Sequence, residues 1–211
     1  MTRDHLRLPS TTEYKLGAYV GRFSSAVILA LIPDYPVLVV EEIPNYHYVG
    51  DGEIELAGLT TVEWGESVVR SWRFFAGKDA RCAAWVDPDT EFTNEMKRCK
   101  LHLRPNHHHG PELRVEVTRE YFQENKILLA PWLKVLPNEL SRARWPPEES
   151  AAFKVRALGQ DYTLSALEQV VSRRPEAKAI PRVHAEHWLI KRIKDAGGAL
   201  ERRQDSHLGK L

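Results

Sequence analysis

Cysteine is nearly missing from this 211-residue sequence, and its scarcity excludes one group of folds. Only Cys82 and Cys99 occur, both on faces that are predicted to be buried. Two cysteines without further partners argue against a disulfide framework or a four-ligand zinc site. We therefore expect a hydrophobic core to hold the fold together. The apolar fraction of 43% is typical of a soluble globular protein with such a core.

Long apolar runs are missing as well. The best candidate is interrupted at Pro33 and Asp34 and falls short of the roughly 20 residues that a membrane helix requires. The first ten residues, MTRDHLRLPS, lack the apolar core of a secretory signal. These features predict a cytoplasmic protein.

Net charge is close to zero, but the two signs are unevenly distributed. Ten basic and five acidic residues lie between Arg173 and Leu211, so this tail carries +5 and the rest of the chain −4. A basic tail suggests an anionic partner, most commonly nucleic acid, although a solvated helical tail has the same composition. We predict one domain over residues 1–175 and a basic helical extension over residues 176–211. The candidate nucleic-acid contacts are Arg173, Arg174, Lys191, Arg192 and Lys194.

The first half of the chain predicts strands followed by a helix. Residues 14–48 contain three apolar segments separated by turn-forming residues, which indicates antiparallel strands. Thr60 and Glu63 have the spacing of a capping box, and the helix that they begin should end at Gly77. Residues 82–86 then read as a strand buried on both faces, with Asp87 at its carboxyl end because Pro88 stops it.

The second half alternates helices and strands. Apolar spacing predicts a helix over residues 92–103, a strand over 113–117, a strand over 127–136, a short helix from Asn138 or Glu139, and an amphipathic helix over 161–174. An antiparallel meander followed by strands joined through helices predicts an α/β fold. The expected architecture is a mixed sheet covered by helices.

Three segments carry a resemblance to a known family. Asp87 ends what would be the fourth strand, the run ILLAPWLKVLPNELSRARWPPE follows later, and GQDYTLSALEQVVSRRP comes last. Over residues 14–175 the sequence resembles the nuclease domain of phage large terminases, which has a ribonuclease H-like fold. The family's late helix typically reads (D/N)-H-x-x-D-A-L-R-Y and continues to Ser-Arg-Pro. The residues that match this pattern in register are Asp161, Ala166, Leu167, Ser172, Arg173 and Pro175.

The sequence departs from the family at the expected acids. Family members carry an Asp near the middle of the first strand, where this chain has Tyr19 or Val20. The Asp of the family's D-A-L triplet is Ser165 here, and the preceding His is Tyr162. The resemblance therefore implies a nuclease fold whose acidic site is degenerate.

The resembled chemistry is hydrolysis of a phosphodiester by two divalent cations bridged by carboxylates. For this chain, the resemblance implies Asp87 and Asp161 as catalytic residues. The same two residues and Glu42, or else its neighbour Glu41, would bind Mg²⁺ or Mn²⁺. The structural alternative for Asp161 is an N-cap of its helix.

The resemblance also implies partners. We expect a domain that acts on or binds double-stranded DNA during genome packaging. No G-x-x-x-x-G-K-(S/T) motif occurs in the sequence, so a packaging ATPase would be a separate polypeptide, and a portal is a further expected partner. The alternative is a non-catalytic α/β module that binds a packaging protein or another protein partner.

Overall fold

A computed structural model describes residues 6–49, 53–88, 90, 92–107, 109–143 and 161–179. Its elements, in chain order, are β1 (Glu13–Tyr19), β2 (Ser25–Leu31), β3 (Val37–Pro44), β4 (Tyr46–Val49), β5 (Glu53–Leu56), α1 (Thr61–Ala76), β6 (Ala83–Val86), α2 (Thr93–Arg98), β7 (His102–Pro105), α3 (Pro111–Gln123), β8 (Ile127–Leu129), α4 (Val135–Arg142) and α5 (Tyr162–Val171). Strands and helices alternate after an initial meander, as the sequence predicts.

Six strands form one mixed sheet in the order β7-β6-β1-β2-β3-β8. Strand β2 is antiparallel to both β1 and β3, whereas β6, β7 and β8 each run parallel to their inner neighbour. Strands β1, β3, β6, β7 and β8 therefore all end at the same edge, called the carboxyl edge below. Strands β4 and β5 form a separate hairpin. The predicted mixed α/β sheet is confirmed.

Helices cover both faces of the sheet. One face packs alternate side chains of the inner strands against Trp64, Val68 and Trp72 of α1 and Met96 of α2. The opposite face packs the remaining strand residues against α3, α4 and α5. Both faces of β2 are covered by helices in this way, and all of its residues except Leu31 are buried. A two-faced core of this kind fixes each strand's register.

Helix α5 lies very close to the sheet. A Cβ added to Gly17 of β1 would lie 2.2 Å from the carbonyl oxygen of Ala166 and 2.9 Å from Val170. Any larger residue at position 17 would push the helix away from the strand. This close approach fixes the position of α5 across β1.

Several local predictions are confirmed. Thr60 and Glu63 form the capping box at the start of α1, and Gly77 follows its end. Cys82 and Cys99 are buried free thiols. The amphipathic segment after Asp161 is α5. Each of these rests on a strong local signal.

The predicted strand over residues 113–117 is wrong, because this segment lies inside α3. Its buried residues, Arg114, Val117, Thr118 and Tyr121, recur at intervals of three and four along one helical face. Three alternating apolar residues fit either period, and Pro111 is well placed in the first turn of a helix.

Three element boundaries and one burial pattern also differ. The helix predicted to reach residue 103 ends at Arg98, and the chain turns through Lys100, at a φ of 66°, into β7. The third strand stops at Pro44, and β8 ends at Leu129. Strand β6 is buried on one face only, since Ala84 and Val86 are buried while Ala83 and Trp85 are partly exposed. Part of the sheet face beside β6 is therefore open.

Candidate functional site

Asp87 lies at the carboxyl edge, directly after β6. Gly17 of β1 pairs with Trp85, so the same register places Tyr19 beside Asp87. The position at which family members were expected to carry a first acid thus faces Asp87 but holds a tyrosine. Asp87 is at the predicted place, and its strand neighbour cannot supply a carboxylate.

Arg114 of α3 neutralises Asp87 from within the protein. Its Nη2 lies 2.7 Å from Oδ2 of Asp87, and a second guanidinium nitrogen donates to the carbonyl of His109 at 3.3 Å. The Arg114 side chain is 8% exposed and that of Asp87 40%. A nearly buried guanidinium fixed by two acceptors is a permanent partner, because arginine stays protonated.

Glu42, a predicted metal ligand, lies beside the first turn of α4. Its Oε1 accepts hydrogen bonds from the backbone N–H groups of Lys134 at 2.5 Å and Val135 at 2.7 Å, and its Oε2 accepts one from Leu136 at 2.7 Å. The carboxylate therefore caps the amino terminus of α4. Glu41 pairs with Ile28, whose side chain belongs to the core on the α1 face, so it points away from α4.

Asp161 precedes α5, but its side chain makes no capping hydrogen bond. It lies near Tyr48 and Tyr162, whose pKa values it helps to raise. The end of β6 meets a different part of the helix. The side chain of Asn106 donates to Ser172 at 3.0 Å, and its backbone N–H donates to the carbonyl of Val86. Ser172 is about 16 Å along the helix axis from Asp161.

Glu139 of α4, rather than Asp161, caps α5. It is fully buried and accepts hydrogen bonds from the hydroxyls of Tyr46 at 2.5 Å and Tyr48 at 3.0 Å, and from the backbone N–H of Leu164 at 2.7 Å. Burial raises the pKa of Glu139 to about 7, although these hydrogen bonds act in the opposite direction. This carboxyl group joins α4, β4 and α5 at the carboxyl edge.

Aromatic rings fill the space around this network. Tyr162 lies 5.1 Å from Tyr19, 5.4 Å from Phe23 and 5.6 Å from Tyr46, measured between ring centroids. The hydroxyl of Thr163 bonds to both Tyr46 and Ser25, which ties the cluster to the first turn of α5. The edge at which the family's acids were expected is therefore occupied by packed rings and hydroxyl groups.

The residues present do not fit a pair of divalent cations. Across the residues that the structure describes, no three His, Cys, Asp or Glu side chains are grouped so that they could hold a metal ion. Asp87 is paired with Arg114, and Glu42 is used by three backbone donors. Mg²⁺ requires an octahedral shell of oxygens, which this arrangement does not offer.

The predicted nucleic-acid contacts are only partly within the described residues. The guanidinium of Arg173 lies 4.5 Å from the ring centroid of Trp85, and Arg174 pairs with Glu120 at 3.2 Å. Lys191, Arg192, Lys194 and the predicted helix around them lie outside the described residues, as does most of the 176–211 extension. Of the five predicted contacts, Arg173 and Arg174 therefore lie within the described residues, and Arg174 is the more exposed of the two.

The sequence reasoning missed Glu139 and Arg114. Glu139 occupies one position of a short helix, VLPNELSR, whose pattern suggests only a helix start. Arg114 was not recognised as buried, because residues 113–117 were incorrectly predicted to form a strand. The buried face of α3, once recognised as helical, would have identified Arg114 as a buried cation that needs a partner.

The sheet order and the crossing helix define a ribonuclease H-like α/β fold. Among solved structures, this chain is similar to the nuclease domain of the P22 large terminase. The two share 10% sequence identity over 85% of this chain and 92% of that chain, with a TM-score of 0.56. Similarity at this identity establishes the fold. No family model matches the sequence. The curated proteins give no match either.

None of the helices in the described part of the chain combines the length and apolarity needed to cross a bilayer.

Proposed function

We propose that this chain is a non-cutting relative of large-terminase nuclease domains that binds double-stranded DNA during genome packaging. The observation that carries the proposal is the Asp87–Arg114 pair, at the strand end where the expected chemistry needs a carboxylate free to bind metal. The fold shared with the P22 nuclease domain and the basic residues from Arg173 onward support the DNA partner. This role would place the protein in the cytoplasm of the host cell.

The loss of cutting has a simple physical basis. Two-metal hydrolysis requires carboxylates that bridge and flank two cations. At the carboxyl edge, Arg114 already supplies the charge that compensates Asp87, and the ring of Tyr19 lies where a neighbouring acid was expected. A second carboxylate at this edge, Glu139, is buried and saturated by donors. Binding through surface cations needs none of these groups.

Incubation with supercoiled plasmid and Mn²⁺ tests the absence of cutting. We expect the plasmid to remain supercoiled, with Asp87→Ala indistinguishable from the wild-type protein. Nicked or linear product that Asp87→Ala abolishes would overturn the proposal. A terminase nuclease domain of known activity serves as the positive control for the metal and the buffer.

Retention of a labelled duplex over a range of salt concentrations tests the binding. Each phosphate contact should add about −0.9 to the slope of log affinity against log salt concentration. Three contacts would therefore give a slope of about −2.7. If the protein retains no duplex at low salt, the result would favour the alternative function, a non-catalytic α/β module that binds a protein partner.

A further inference from the structure

A groove opens beside β6, at the part of the sheet that its partly exposed residues leave uncovered. Strands β1 and β6 pair only at Leu16 with Ala84 and at Gly17 with Trp85. Before these pairs the strands separate, and a cavity of about 370 Å³ lies between them. We call it the basic groove and define it by Lys15, Arg81, Trp85, Arg104 and Arg173.

Every charged residue that lines the basic groove is a cation. None of the four takes part in an ion pair within the described part of the chain. The guanidinium groups of Arg104 and Arg173 lie 5.8 Å and 4.5 Å from the centroid of the Trp85 ring. Trp85 therefore positions two cations, and the fold itself provides no anion for them in the residues described.

Trp72 also lines the groove. Its indole nitrogen is buried and has no hydrogen-bond partner among the described residues. A buried polar group without a partner is unfavourable, so such groups usually bind water or a ligand. The indoles of Trp64 and Trp132 differ, since they donate to the carbonyls of Ile43 and Val40.

A second basic pocket lies close to the first. The two are linked through Cys82, which follows Arg81 and belongs to the same core cluster as Cys99, a residue that lines the second pocket. This second cavity, of about 360 Å³, has four cations and one acid in its lining: Arg70, Arg73, Arg98, Lys100 and Glu66. Positive charge thus extends across the amino-terminal end of β6 and β7.

We propose that the basic groove, and not the carboxyl edge, is the surface on which this protein binds the phosphate backbone of double-stranded DNA. This inference rests on the proposed function and specifies where binding occurs. An extended row of cations is complementary to an extended polyanion. The guanidinium group of arginine can donate two parallel hydrogen bonds to phosphate oxygens, and each phosphate that is neutralised releases counterions. The carboxyl edge presents Asp87 and Asp161 as well as arginines, so it is less suited to a polyanion.

Two matched double variants test this placement. Arg81→Glu with Arg104→Glu reverses two exposed cations at the basic groove. Arg22→Glu with Arg142→Glu reverses two exposed cations at the carboxyl edge, where they lie over Phe23 and Tyr48 at 5.3 Å and 4.9 Å. The net charge changes equally in both. Circular dichroism and a denaturation midpoint would verify that each variant is folded.

The groove variant should weaken duplex binding at least tenfold in moderate salt and make the salt slope shallower by about 1.8, while the edge variant stays within about twofold of wild type. A larger loss in the edge variant, an equal loss in both, or no loss in either would overturn the placement and leave DNA binding itself intact. Absence of salt-sensitive retention by the wild-type protein would overturn both proposals.

The tryptophan indole signals give a readout that does not depend on charge reversal. On titration of a short duplex into ¹⁵N-labelled protein, the Trp72 and Trp85 indole N–H resonances should shift, and those of Trp64 and Trp132 should stay in place. Trp72→Phe assigns the first signal. Shifts confined to Trp64 and Trp132 would place the DNA elsewhere.

Discussion

Two regions of the same sheet differ in how their charged side chains are paired. At the carboxyl edge, Asp87 is neutralised by Arg114, Glu42 caps α4, and Glu139 accepts from two hydroxyls and caps α5. At the basic groove, none of the four cations has a carboxylate partner in the described residues. The acids at the carboxyl edge thus make structural contacts within the protein. The cations without a carboxylate partner lie in the groove beside β6.

Glu139→Ala should produce the largest effect. The substitution leaves the hydroxyls of Tyr46 and Tyr48 and the N–H of Leu164 without their acceptor in a buried site. We expect the free energy of unfolding to fall by about 3 kcal/mol, because each unpaired buried donor is unfavourable. Urea denaturation measures this loss. Glu139→Gln keeps one acceptor and should lose less; an alanine variant as stable as wild type would show that the network carries little stability.

The pH dependence of stability should come next in size. A glutamate in the unfolded chain titrates at about pH 4.3, whereas burial raises the folded-state pKa of Glu139 to about 7. The folded protein therefore holds this proton more tightly, and the resulting stability is present below about pH 4.3 and is lost as the pH rises through about 7. We expect a loss on the order of 2 kcal/mol between pH 5 and 8.

Glu139→Gln is the control that isolates the contribution of this group. In that variant the difference in unfolding free energy between pH 5 and 8 should shrink by most of the wild-type change. An identical pH profile in both proteins would mean that Glu139 is ionised at every pH tested.

The sequence predicts much of the fold and less of the candidate site. The capping box correctly locates α1, the turn-forming residues locate the meander, and the apolar spacing after Asp161 locates α5. All three are local signals. Asp87 could be placed at a strand end because Pro88 follows it. Arg114 could not be assigned to it, since the two are 27 residues apart and the pairing depends on how α3 packs. Likewise, no local pattern shows that Glu139 rather than Asp161 caps α5.

Asp87→Asn should have a moderate effect at the carboxyl edge. It leaves the nearly buried guanidinium of Arg114 with a neutral partner. Because Asp87 is partly exposed and water can replace some of the lost interaction, we expect a decrease of about 1 kcal/mol in the free energy of unfolding. Duplex binding should not weaken. A loss of DNA affinity without a loss of stability would reassign Asp87 to the binding surface and remove the contrast between the carboxyl edge and the basic groove.

Arg104→Ala should have the smallest effect on stability and a clear effect on binding. Arg104 is exposed and forms no ion pair within the described residues, and it lies near three other cations. Removing it relieves like-charge repulsion and loses only a contact with Trp85, so the free energy of unfolding should change by less than about 0.5 kcal/mol. Duplex affinity should nevertheless fall severalfold, with a shallower salt slope. A residue that is dispensable for folding but needed for binding is expected at a ligand surface; the reverse result would make the basic groove a structural feature like the carboxyl edge.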